Sequence, residues 1–373
     1  MKKIFCIILS FAFICSIYSC KEKKKITLHD EERINYISLV TNGYKSGRIY
    51  GNNPVMYIDY NTMESAVLCS KPNCTHKDST CVAKMAGDCP LLYKDYLYFF
   101  ESIQNVEESG DNKREYRIRS KLCRISLDSS EKEDIVSFTD CVPRDYDGYL
   151  ICDNVIYFTG DNMNPVQDEY GNISVGNQGG IHYFCSIDLN TKKYTNYGSV
   201  YDGDKEYEAA SSTSSAVIKG YYDSKIMIRY EFAKETPPLQ VDENFDYRDV
   251  FTELMFEFDP ENKNLKPSDL PEPFYVDENT YVYSKNNKTY VINDGNTYEF
   301  DCNETFGISF LNNKFFDGLN GRWFDVTDMS EHSMGEYKGY DVIAVYDNSY
   351  ILRLGNKTVK LTEEELLALD KEN

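Results

Sequence analysis

Five residues able to hold a metal or form disulfides crowd into one short stretch. In LCSKPNCTHKDSTCVAKMAGDCP (68–90), Cys69, Cys74, His76, Cys81 and Cys89 stand close together. Three chemistries suit them. Neighbouring thiols outside the cytoplasm tend to oxidise, so one or two disulfides would close this loop. Cys69, Cys74 and Cys81 with His76 would instead supply three thiolates and one imidazole to a closed, tetrahedral structural Zn²⁺ site. Zinc-ligand pairs usually stand two to four residues apart, and Cys74-x-His76 departs from that spacing. Free thiols packed in the loop are the third reading. A redox centre is disfavoured, because Cys-x-x-Cys spacing and a βαβ context are both missing. The loop is rich in Lys, Pro, Asn and Ser and short of apolar residues, so the sequence predicts a covalent or metal staple rather than a catalytic site.

Elsewhere, chemistry is hard to find. Apart from His29 and His76 the histidines are His182, which precedes a strand-like run, and His332, in a polar turn; both are expected at the surface or rim. There is no G-x-S-x-G elbow, HExxH, Walker loop or dinucleotide fingerprint, so serine-hydrolase chemistry has no motif behind it. The 61 Asp and Glu select no glycosidase pair. Asp202-Gly203-Asp204 begins like a calcium loop but fails at Tyr207 and Thr213, and reads as solvated. Cys123, Cys141, Cys152, Cys185 and Cys302 are scattered through strand-like segments and read as small core residues.

The elements that must position these residues are strands. Tyr (32) and Phe (20) exceed what a helical bundle uses, and only 23 Leu are present; aromatic side chains fit a pleated, half-buried surface. One pattern recurs seven times: an aromatic-rich strand, a turn of Asp, Asn or Gly, and a second strand often closing on Asp, as in VMYIDYNTMESAVL (55–68) and HYFCSIDLNTKKYTNYGSV (182–200). Each is preceded by another strand pair with a tight turn, and such pairs are hairpin signals because these residues accept positive φ. Repeated hairpins must stack to bury both faces. The predicted fold is all-β, a β-propeller of six to eight blades with seven the best count, and a sandwich array the alternative. The expected blades are 34–68, 91–138, 146–200, 214–270, 273–301, 305–336 and 340–362. The last three look short, which a blade shared between the chain ends would relieve. Thr362-Glu363-Glu364-Glu365 matches a capping box and predicts one helix from about 363 to 370. Tyr93, Tyr96 and Tyr98 at period two read as packing between blades, with sugar stacking the alternative. Residues 160–180 and 234–249 read as inserts projecting from one face, where binding sites form.

Lys2-Lys3, an apolar run to Ile17 and the ending Ile-Tyr-Ser-Cys at Cys20 describe a secretory signal. That ending resembles the lipobox of bacterial lipoproteins, which implies cleavage before Cys20 and a diacylglyceryl chain on its thiol. The expected organisation is a signal peptide 1–19, a flexible tether 20–32 after the lipidated Cys20, and one propeller domain 33–373. Leu-Cys-Ser-Lys-Pro-Asn-Cys-Thr-His with a further Cys five positions on, within the Cys-x4-Cys-x-His-x4-Cys segment, resembles a group of uncharacterised propeller-like lipoproteins of clostridia and their relatives. The resemblance implies propeller and lipoprotein and carries no activity. A net charge of −21 argues against nucleic acid. The expected function is a lipid-anchored module on the extracytoplasmic face of a bacterial cell membrane, binding a protein or carbohydrate ligand. The alternative is a glycan- or cell-wall-active enzyme using carboxylates in the propeller channel.

Overall fold

Pairs of residues with positive φ separate the first two strands of five blades: Lys94-Asp95, Asp153-Asn154, Asp223-Ser224, Asn312-Asn313 and Asp347-Asn348. Left-handed φ at both central positions matches the twist of the flanking strands, so these dipeptides fix hairpin register. The Asp that closes the repeated strand has a separate task. Asp59, Asp188 and Asp259 each accept two backbone N–H bonds from the turn that follows, and Asp325 accepts one from Thr327. Four residues after each comes one left-handed residue, Met63, Lys192, Lys263 or Met329. The repeat is therefore the signature of a side-chain-capped turn.

In this computed structural model the described residues are 36–37, 43–44 and 47–372, outside gaps at 52, 70, 72, 78, 86–89, 110–112, 128–130, 145–147, 163–164, 168–172, 176–180, 202–213, 234–250, 287, 303–307 and 356. Cys20, the signal and tether, Cys89, the 202–206 segment and the 234–249 insert lie outside them. The strands form seven antiparallel meanders in a ring, a seven-bladed β-propeller. Their spans are 43–67, 91–138, 142–199, 214–267, 273–300, 308–333 and 341–362. Blade seven has three strands and the others at least four.

The core confirms the closed ring, because it divides into one apolar cluster per blade interface. Leu97, Phe99 and Ile125 of blade two pack on Ile49 and Tyr57 of blade one. Phe100 and Phe138 meet Tyr149 and Phe158 between blades two and three, with Tyr98 buried beside them and Tyr93 and Tyr96 packed on that cluster. Phe184 meets Phe258 between blades three and four. Met227 and Met255 cover Tyr281 between four and five. Phe300 stacks on Phe315 between five and six, and Trp323 joins Tyr350 and Leu352 between six and seven. The ring closes where Ile58 and Tyr60 of blade one meet Ile351 of blade seven, with Tyr346 Oη donating to Asn61 Oδ1 at 2.8 Å. No strand is exchanged across that seam among the described residues.

Two expectations need correction. Tyr36–Ile37, assigned above to blade one, pairs instead with Ile151 and Cys152 on the first strand of blade three. The shortage of length in the last blades is met by tighter strands of four to six residues, not by borrowing a strand. The helix forms at Glu363–Ala368, where Thr362 and Glu365 make the reciprocal capping box and Leu366 is buried.

Antiparallel alternation sends all connections of one kind to one end of the ring. The turns between first and second strands, and between third and fourth, are short and lie at one end. The opposite end receives the described part of the loop 68–90, with Cys69, Cys74, His76 and Cys81, and the far ends of the long strands Tyr96–Ser109 and Lys113–Ser126.

Candidate metal centre

The loop 68–90 leaves the outer strand of blade one, Glu64–Val67, and enters blade two at Leu91–Tyr93. Its second half is anchored by packing: Cys81, Val82 and Ala83 are wholly buried between the two blades. The backbone there is tied in as well, with Val55 N–H donating to the Ala83 carbonyl at 2.7 Å. That corrects the expectation that burial alone would hold the loop poorly. The polar half, from Cys69 to Thr80, has no such plug.

Into that half the fold draws four of the five expected ligands. The Sγ atoms of Cys69, Cys74 and Cys81 and a ring nitrogen of His76 all lie within 4.8 Å of one another. Asn73 and His76 take left-handed φ, of 58° and 59°, and the reversal returns His76 Nδ1 to 3.5 Å from Cys81 Sγ. Tetrahedral zinc with Zn–S of about 2.3 Å needs sulfur–sulfur edges of about 3.8 Å, so a small contraction completes the cage. Three thiols and an imidazole are soft donors, suited to Zn²⁺ and ill suited to Mg²⁺, Ca²⁺ or Mn²⁺.

Burial pushes the Cys81 thiol up to about 12, against a backbone hydrogen bond at Ala83, and its hydrogen bonds with the Cys74 and Cys69 thiols raise it further. A divalent cation bound there would take the Cys81 proton's place, since the ligand form of Cys is the thiolate. Cys69, Cys74 and Cys81 are free thiols, as are Cys123, Cys141, Cys152, Cys185 and Cys302, so no disulfide occurs among the described residues. The five scattered cysteines are all buried, as expected of core residues.

The histidines outside the loop are placed differently from expectation. His182 is not at the surface: it is 0% exposed, with Nδ1 at 2.7 Å from Asp161 Oδ1 and Nε2 at 2.8 Å from Ser214 Oγ. Asp161 ends one strand, His182 begins the next, and Ser214 opens blade four, so no local motif announces the group. His332 lies on the edge strand Ser330–Ser333 rather than in a turn, stacked on Trp323 at 4.0 Å and bonded to Ser330 and Asp370. A carboxyl pair also escaped the sequence reading. Glu253 and Glu272 line a cleft of about 630 Å³ with Tyr201, Phe256, Pro267 and Leu270. Burial and the Glu272 charge push Glu253 up to about 7. Glu272 is held below the ordinary range because Lys219 and Arg229, at 2.9 and 3.0 Å, outweigh its burial.

No family model and no curated protein matches the chain. Among solved structures it is similar to an oligogalacturonate lyase in complex with manganese, at 11% identity and TM-score 0.32, over 87% of this chain and 78% of that one. A second, an uncharacterised protein of Listeria monocytogenes, gives 10% and 0.32 over 70% and 71%. TolB of Acinetobacter baumannii gives 9% and 0.22 over 92% and 86%. None of these likenesses is strong enough to carry an activity across.

Proposed function

We propose that this chain is a lipid-anchored, extracytoplasmic binding module of a bacterial cell membrane, in which a structural Zn²⁺ on Cys69, Cys74, His76 and Cys81 holds a loop at the ligand-facing end of the propeller. The observation that supports it best is the inequality of the two ends. Short capped turns close one end, while the other carries the loop with the thiol cluster, and binding surfaces are built on loops over a rigid scaffold. Cys20, directly after a short apolar segment and Ser19, supplies the membrane attachment, and the acidic surface disfavours nucleic acid as partner. When bound, the ion would act as a closed crosslink with no open position for substrate.

The enzymatic alternative draws nothing from the carboxyl pair. Glu253 and Glu272 share a hydrogen bond, which is closer than the roughly 5 Å that separates the carboxyls of retaining glycosidases. Glu253 lies on the strand Phe251–Asp259 and Glu272 on the connection that follows the strand Asn264–Pro267.

Two experiments test the reading. Cys20→Ala should release the protein from the membrane or leave an unprocessed precursor; unchanged processing and membrane association would refute the anchor. A thermal-shift screen of that soluble variant against glycans and peptidoglycan fragments should find a ligand that raises the melting temperature. The ligand's effect should vanish when residues of the 162–181 or 200–213 connections are replaced and persist when the short-turn end is altered; the reverse pattern refutes the assignment.

A further inference from the structure

The contact between blades three and four holds a hydrogen-bonded relay of three residues that are 21 and 32 positions apart in sequence. Its acid end is fixed from both sides. Asp161 Oδ2 accepts from Arg144 Nε at 3.0 Å, and Oδ1 faces His182 Nδ1 at 2.7 Å. An ionised carboxylate only accepts, so Nδ1 carries the proton, and a neutral ring then offers the lone pair of Nε2 to Ser214. The hydroxyl of Ser214 accordingly donates to His182, at 2.8 Å. Tyr230 is bonded to the same Ser214, and its ring meets His182 edge-on at 5.6 Å.

Burial is graded along the relay. His182 is fully buried and Asp161 nearly so, whereas Ser214 is half-buried. The hydroxyl thus stands at the accessible end, with its base behind it and the base's orienter deeper still. That is the order of parts a serine nucleophile requires. Tyr201, which lines the 630 Å³ cleft, has its ring 5.3 Å from that of Tyr230, so the relay lies behind one wall of an apolar-sided cleft.

We propose that Asp161, His182 and Ser214 form a nucleophilic triad that transfers the acyl group of a carboxylic ester to water, at the long-connection end of the junction between blades three and four. Ser214 Oγ bonds to the carbonyl carbon while its proton passes to His182 Nε2. The carbon–oxygen bond to the alcohol then breaks, and the alcohol leaves with that proton. Water repeats the sequence on acyl-Ser214, releasing the carboxylic acid and restoring the hydroxyl. Asp161 is a positioning residue that keeps the imidazole in the required tautomer. This activity is independent of what the long connections bind.

The molecule carries its own control. Ser330, His332 and Asp370 are bonded in the same order, at 2.7 and 2.5 Å. There Asp370 also takes the Ser333 N–H, and the group docks the last turn of the chain onto the edge of blade six. Ser330 and His332 are two residues apart on one strand, with no buried base behind an exposed hydroxyl.

The test uses the full chain purified in detergent. A fluorophosphonate probe should phosphonylate Ser214, forming the Oγ–P bond with loss of fluoride, and should leave Ser330 unmodified. Ser214→Ala should abolish the adduct while keeping the melting temperature within about 3 °C. With p-nitrophenyl acetate, Asp161→Asn should lower kcat by about 10³-fold or more with KM little changed. Absence of a Ser214 adduct in folded protein, equal slow labelling of Ser214 and Ser330, or a labelling rate unchanged in Asp161→Asn would each overturn the proposal.

Discussion

Two groups of thiols sit in adjoining parts of this ring and have opposite characters. Cys69, Cys74 and Cys81 converge with an imidazole on a common centre, on a loop whose outer half is polar. Cys141 and Cys185, 3.8 Å apart between blades two and three, meet the Tyr194 hydroxyl and apolar rings. Burial raises the Cys185 thiol well above its ordinary value, and its hydrogen bond with Cys141 adds to that. Among the described residues they belong to no cluster of three or more metal-ligating side chains. Proximity of sulfur is thus common to both, and the difference lies in the partner and in what the neutral thiols leave unfinished. In the core the thiols act as small apolar side chains. In the loop they converge with an imidazole on one centre.

The comparison breaks most visibly if metal is removed. The zinc-loaded protein should carry one ion per chain, with the thiols of Cys69, Cys74 and Cys81 titratable after denaturation. Cys81→Ser or a strong chelator should lower the melting temperature by several degrees, since a ligand held at 1,000 times its dissociation constant contributes about 4 kcal/mol. Full retention of metal by Cys81→Ser would dissolve the distinction. Opposite pH slopes sharpen it. In metal-free protein the folded Cys81 thiol stays protonated up to about 12, while its unfolded counterpart ionises near 8.5. The unfolded state therefore binds fewer protons in that window, and stability falls as pH rises through it. Metal-loaded protein should instead lose stability as pH falls, because protons displace the ion; parallel slopes in equilibrium unfolding would refute the cage.

A smaller effect is expected in the core. Cys185→Ser places a hydroxyl among Phe138, Phe158 and Ile187 and should cost roughly 1–3 kcal/mol, with metal content unchanged. The smallest belongs to neither thiol group. Glu253 has a raised folded value, about 7, so the stability it contributes is full below its unfolded pKa and is lost as pH rises toward 7. Glu253→Gln should flatten that part of the curve by less than about 1 kcal/mol, the side chain being 41% exposed. A larger change there would mean that the carboxyl pair, whose slope is opposite, partly masks the acid limb assigned to metal loss.

The fold was legible because its information is local. Asp59, Asp188, Asp259 and Asp325 each mark the same capped turn, and Asp-Asn or Asn-Asn pairs mark the tight ones, so seven blades can be counted from turn chemistry and strand alternation. The four cage residues were legible for a similar reason, being close in sequence. Asp161, His182 and Ser214 were not, since each is an ordinary strand-end residue until blades three and four pack. His182 read as a rim residue because nothing beside it in sequence shows that Tyr230 and Ser214 will cover it. Glu253 and Glu272 were lost among many carboxylates, their pairing set by a return of the chain after the short strand Asn264–Pro267. Tyr36–Ile37 read as part of blade one by adjacency alone, and pairing across the ring has no sequence signal two residues long.

That short pairing decides how the molecule responds to pulling. Tension applied to the chain before Tyr36 arrives first at Ile151 and Cys152, on the first strand of blade three. Only after those hydrogen bonds part does it pass along the chain to blade one. The side-chain seam between blades one and seven, where three residues are fully buried, is thereby spared the initial strain. A force-clamp recording with one handle before residue 36 should show a small early rupture ahead of the main unzipping, and deletion of residues up to 37 should erase that first event.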